Sequence, residues 1–135
     1  MIKTKSIYDQ KEESDGIRIL ITRYYPRGIR KDNFDFWFRD LSPSRHLLKS
    51  LKHGIISRSV FFQFFCRDLR SDEKKLELCK QLAIKSMNKN ITLLCFEEEE
   101  IFCHRYYVKR ICENELVNLE PARHEKSKNN LTDFF

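Results

Sequence analysis

Long polar stretches separate a few segments whose apolar residues keep a regular period. Residues 17–22, Ile-Arg-Ile-Leu-Ile-Thr, are β-rich and nearly continuously apolar, and they break at Tyr25-Pro26-Arg27-Gly28. That is the pattern of a short buried strand running into a tight turn. Between Asp32 and Leu41, the residues Phe34, Trp37, Phe38 and Leu41 recur at helical spacing until Ser42-Pro43-Ser44 stops them. Leu47, Leu48 and Leu51 predict a second short helix ending near Gly54. Ser57 is placed to cap a helix burying Val60, Phe61, Phe64, Phe65 and Leu69. Asp72 opens another, with the stripe Leu76, Cys79, Leu82, Ala83 and Met87. Residues 91–96 read as a second buried strand, and 103–115 as a helix burying Tyr107, Val108, Ile111 and Cys112. Weaker signals suggest an edge strand at 3–8, before the polar Asp9–Gly16 turn, and a last short strand at Leu116–Leu119.

Strand, helices, strand, helix is the order of an α/β protein with an open, largely parallel sheet and flanking helices. The 135 residues suit one small domain over 1–120, followed by a polar tail at 121–135. The tail closes on Leu131-Thr-Asp-Phe-Phe, apolar enough to dock elsewhere, a neighbouring chain included.

Charge narrows the class of ligand. The formal surplus is +6, and it is uneven. Residues 1–70 carry fifteen basic and eight acidic side chains, whereas 71–135 carry eleven and twelve. A basic first half suits an anionic partner, from a small phosphate-bearing ligand up to a nucleic acid, and otherwise means a solvated basic surface. No apolar run approaches the ~18 residues of a membrane helix, and Met1 to Lys11 is too charged for a secretion signal. Five cysteines are an odd number, so the expectation is a cytoplasmic chain without a disulfide framework. The residues name no cofactor and leave the oligomeric state open.

Both strong strands run into reactive chemistry. After the first come Arg23 and Arg27; after the second come Cys95, Glu97 and then Cys103-His104-Arg105 opening a helix. In open parallel sheets, ligands bind outside the carboxyl ends of the strands. If Thr22 and Phe96 lie on the same edge, these residues converge on one crevice, and the helix start adds free N–H groups. Arg23, Arg27, Arg105 and Cys103 are the expected anion-binding residues, with Glu97, His104 and Cys95 as the expected catalytic ones. Cys95, Cys103 and His104 offer three metal ligands, but their spacing matches no standard zinc pattern, so no metal is expected.

Ser6-Ile7-Tyr8-Asp9, Glu13-Ser14-Asp15-Gly16, Arg23-Tyr24-Tyr25-Pro26-Arg27-Gly28, Leu41-Ser42-Pro43-Ser44 and Cys95-Phe96-Glu97 with Cys103-His104-Arg105 occur in this order. Together they resemble the YeaO-like uncharacterised proteins, domain-of-unknown-function family 488, from about Lys3 to Cys112. The resemblance implies a small α/β domain marked by the Arg-x-x-Pro turn and the Cys-x-Glu…Cys-His-Arg segment. Branches of that family without the cysteines weigh against an obligatory thiol mechanism.

Three functional readings follow. The first is a phosphate- or nucleotide-binding protein, extending to a hydrolase or transferase on a phosphorylated substrate. There Arg23, Arg27 and Arg105 clamp the anion, Glu97 is base or metal ligand, and His104 is acid or donor. Walker and Rossmann glycine patterns are absent from the sequence. The second is a sulfurtransferase-like thiol enzyme using Cys95 or Cys103. The third is a non-enzymatic nucleic-acid regulator using the basic half with Tyr24, Tyr25 and Trp37. Each residue also has a plain structural role open to it. Arg23 and Arg27 can pair with Asp35 or Asp40, Pro26 and Gly28 can be turn residues, and Cys66, Cys79 and Cys112 can be core filler.

Overall fold

Four parallel strands carry the fold: β1 (Ile2–Ser6), β2 (Ile17–Leu20), β3 (Phe36–Trp37) and β4 (Ile91–Cys95), in the order β1-β4-β2-β3. The computed structural model describes residues 1–96 and 103–117. The helices are α1 (Arg45–Lys52), α2 (Arg58–Ser71), α3 (Glu73–Lys85) and α4 (His104–Val117). The α/β class and parallel sheet are as the element order predicts. Among the described residues no helix is long and apolar enough to cross a membrane.

β4 is buried along its whole length, as its largely apolar run requires, because it sits between β1 and β2. Its register pairs Ile91 with both Ile2 and Ile17, and Cys95 with Ser6. Alternation then sorts the side chains between two faces. Ile2, Ile19, Ile21, Ile91, Leu93 and Cys95 join the main core with the helices. On the other face, Leu20 and Leu94 pack with Ile7, against Ile29, Phe34 and Trp37.

That second face also holds a buried ionic cluster. Asp15 accepts from Lys5 Nζ, the Glu12 N–H and the Arg18 guanidinium, and the Thr92 hydroxyl donates to its carbonyl at 2.7 Å. Asp15 and Arg18 are almost fully enclosed, so each needs the other. Burial raises the Asp15 carboxyl, but these donors outweigh it and hold it below its ordinary value. Gly16 follows at φ +66°, where any Cβ would overlap the Asn90 carbonyl. The turn into β2 therefore requires glycine.

Ser57 and Asp72 cap α2 and α3 through their side chains, as expected, and Ser44 caps α1 in the same way. The segment 32–41 departs from its expected helix. It forms 3-10 turns at Lys31–Asn33 and Arg39–Leu41 around β3. The reason is tertiary: Asp35 N–H and Phe38 N–H donate to Arg18 and Leu20 carbonyls on the open edge of β2. Trp37 then faces one side of the sheet while Phe36 and Phe38 pack on the main core. Phe62, absent from the predicted stripe, is buried, whereas Phe64 is half-buried and Met87 is exposed beyond the end of α3. Leu116 and Val117 are the last residues of α4, not a strand. The rest of that expected strand and the tail lie outside the described residues.

Candidate functional site

Parallel pairing of β2 with β4 brings Thr22 and Phe96 to the same sheet edge, where they line one cavity of about 370 Å³. Cys95, Cys103 and His104 line it too, with Arg23, Lys52 and Arg58 supplying positive charge and Leu48, Leu51, Phe61 and Phe62 supplying apolar wall. The position is that of ligand sites in open α/β sheets.

Cys95 arrives at the end of β4 on the helix-facing side; Cys103 immediately precedes α4. Their sulfurs are in contact, and their Cα atoms are 7.2 Å apart. That is just outside the usual disulfide span of about 4.4–6.8 Å, so an unstrained bridge between them involves backbone movement. The two residues are 1% and 3% exposed, at the floor of the cavity.

His104 is itself held in one protonation state. Its Nε2 lies 2.6 Å from the Ile21 carbonyl, which accepts only from a protonated nitrogen. Nδ1 is left with its lone pair toward Cys103 Sγ, at 3.7 Å. Burial lowers the imidazole pKa to about 4, and the neighbouring Arg105 charge adds to the effect against the Ile21 hydrogen bond. The ring also packs edge-on against Phe65, with centroids 5.5 Å apart. A neutral imidazole fixed in this way can take a thiol proton or ligate a metal through Nδ1. The ligand atoms of Cys95, Cys103 and His104 all lie within 4.8 Å of one another, a suitable set for a thiophilic divalent ion.

The other expected residues are distributed differently. Arg23 reaches the cavity, half-buried, with Nε donating to the Pro43 carbonyl at 3.1 Å. Asp35, one of its alternative partners, instead accepts from the Arg18 N–H at 2.8 Å. Arg27 is exposed on the turn and outside the cavity lining; its carbonyl accepts from Tyr8 Oη. Gly28 at φ +78° serves that turn. Arg105 was expected to face a solvent-filled crevice, and this is corrected: it is 2% exposed and donates from Nη1 to Cys95 Sγ at 3.4 Å. The first turn of α4 sends its side chain inward, behind the sulfur. Glu97 lies outside the described residues. Cys79 and Cys112 are buried in the main core and Cys66 is half-buried against it, as core filler should be. Lys52 and Arg58 were not anticipated. One ends α1 and the other begins α2, and no local signal marks them, because only the packing of α1 on α2 brings them to the cavity.

Fold and site together define a parallel α/β domain with a thiol–imidazole cluster at the carboxyl edge of its sheet. The chain belongs to the DUF488 family: residues 2–116 match the family described as the Active DUF488-N3 subclade. It is 34% identical to the uncharacterized protein YeaO of Escherichia coli over 95 residues, which cover 69% of this chain and 80% of YeaO. It is 33% identical to the uncharacterized protein Rv3073c of Mycobacterium tuberculosis over 81 residues, 58% of this chain and 69% of that protein. No solved structure matches the chain significantly.

Proposed function

We propose that this protein is a thiol-dependent enzyme that acts, through Cys103 and Cys95, on an oxidised sulfur of a substrate bearing an anionic group. The observation that carries the reading is the contact of two cysteine sulfurs beside the lone pair of a neutral imidazole. The matching family's description as an active subclade supports an enzyme over a binding module.

In the proposed cycle, His104 Nδ1 relays the Cys103 proton, holding it only while the sulfur attacks one sulfur of a substrate S–S bond. The leaving thiolate departs and takes up the proton held by His104. Cys95, beside the Arg105 guanidinium, then attacks the Cys103 sulfur and displaces the second substrate thiolate, which takes up the Cys95 proton. The substrate gains two electrons, and the protein is left with a Cys95–Cys103 disulfide, which an external thiol reduces. Arg23, Lys52 and Arg58 hold the anionic group at the mouth. This keeps the anion site of the first sequence-based reading but rests it on a different set of cations, since Arg27 and Arg105 do not line the cavity.

A second reading has its own observation. An imidazole that donates one N–H to a backbone carbonyl while its other nitrogen faces two sulfurs is also the arrangement of a metal ligand. One experiment separates the two. The reduced, chelator-treated protein is oxidised mildly and its thiols are counted after unfolding, with peptide mapping. The enzyme reading expects the wild type to lose the Cys95 and Cys103 thiols and keep the other three, and Cys103→Ser to lose none. Retention of all five thiols, with a stoichiometric metal in the untreated protein that Cys103→Ser lacks, overturns it in favour of the metal site.

A further inference from the structure

A second cavity, of about 970 Å³, lies between α2 and α4. Its rim carries Arg58, Arg67, Arg70 and Arg110, and no acidic side chain is among the described residues that line it. Arg67 and Arg70 are three residues apart on one face of α2, and Arg110 faces them from α4. Arg58 to Arg70 spans twelve residues, about 18 Å of helix. Arg67 lies over the Phe64 ring at 4.6 Å, and Arg110 donates to Tyr106 Oη at 3.0 Å with Glu113 nearby, so the guanidiniums are held along the groove by their own helices. The floor is aromatic: Phe62 and Tyr107 stack with ring centroids 4.5 Å apart and planes 25° from parallel.

We infer that this groove binds single-stranded nucleic acid, phosphates on the arginines and a base against the half-buried Tyr107 ring. Guanidinium forks fit phosphodiester oxygens, and an aromatic floor suits unstacked bases of any sequence. A duplex keeps its bases stacked inside and cannot use a recessed aromatic floor. A small anion would occupy one arginine and leave the rest of the row unused. Arg58 and Phe62 line both this groove and the thiol cavity, so a strand lying here ends at the mouth of that site. The inference stands apart from the thiol reading, because binding is measured without turnover.

The test is fluorescence anisotropy of a labelled twelve-nucleotide oligothymidylate against the full chain. Arg67→Glu with Arg70→Glu is expected to weaken binding more than about tenfold and to flatten the log–log salt slope by about 1.4. Lys31→Glu with Lys89→Glu makes the same change of charge at exposed positions outside the groove and is expected to weaken it less than about threefold. Tyr107→Leu should lower affinity about fivefold or more without changing the slope. Arg67→Gln with Arg70→Gln, checked by circular dichroism, covers the case in which the charge reversals disturb the fold. Equal losses in the two lysine and arginine reversals would mean diffuse attraction to a basic surface and would overturn the groove. Binding of a duplex or a polyglutamate peptide as tight as the single strand would overturn the assignment of the partner.

Discussion

Replacing His104 by Gln tests the feature on which the thiol site depends, an imidazole held neutral. In the folded chain its pKa is lowered from 6.5 to about 4, chiefly because burial disfavours the charged ring. In the unfolded chain it titrates normally. Protonation therefore favours unfolding: the contribution is fully present above about pH 6.5 and is lost as the pH falls toward 4. At about 1.4 kcal/mol per tenfold difference in proton affinity, the whole shift is worth roughly 3 kcal/mol. Because the residue is half-buried and lines the cavity, solvent screening reduces the expected loss to about 1–3 kcal/mol. Urea unfolding at a series of pH values gives the stability directly. The wild type should lose stability between pH 7 and 4.5 more steeply than His104→Gln by that amount. The other three histidines are common to both proteins and cancel in the difference. Parallel curves would mean that the ring titrates normally when folded, and the Nε2–H to Ile21 bond would no longer fix which nitrogen faces Cys103.

Asp15→Ala leaves the enclosed Arg18 guanidinium without its carboxylate and should cost about 3–5 kcal/mol in urea unfolding. Because the folded Asp15 carboxyl sits below its ordinary value, its stabilisation is present above about pH 4 and fades as acid protonates it, so the gap between variant and wild type should narrow below that point. Arg23→Ala should weaken binding of small phosphate-bearing ligands by about 1.5–3 kcal/mol in calorimetry while leaving the fold intact. Arg105→Ala should instead lower the unfolding midpoint, since its side chain is enclosed behind Cys95 and not offered to a ligand.

Local patterns in the chain determined what local physics can determine. The largely apolar runs at 17–22 and 91–96 read as buried strands, because a strand with apolar residues on both faces is stable only with both covered. Ser57 and Asp72 marked helix starts because a short side chain there satisfies the first free N–H groups. Strands separated by helices imply parallel pairing, and parallel pairing puts both strand ends on one edge. That logic brings Arg23, Cys95, Cys103 and His104 to one cavity, and it brings Arg27 and Arg105 there too, which the structure places elsewhere. Tertiary structure decided the rest. The aromatic run at 34–38 has helical spacing, yet it pairs as β3 because the unpaired edge of β2 offers hydrogen-bond partners that an isolated turn of helix does not. Arg105 reads as a surface cation, but the first turn of α4 is rotated so that its guanidinium meets the Cys95 sulfur. Lys52 and Arg58 join the site only because α1 and α2 pack against each other, a contact without a local periodic signature. Periodicity specifies which face of an element is apolar; which partner covers that face, and so which charges meet, is settled by the packing of whole elements.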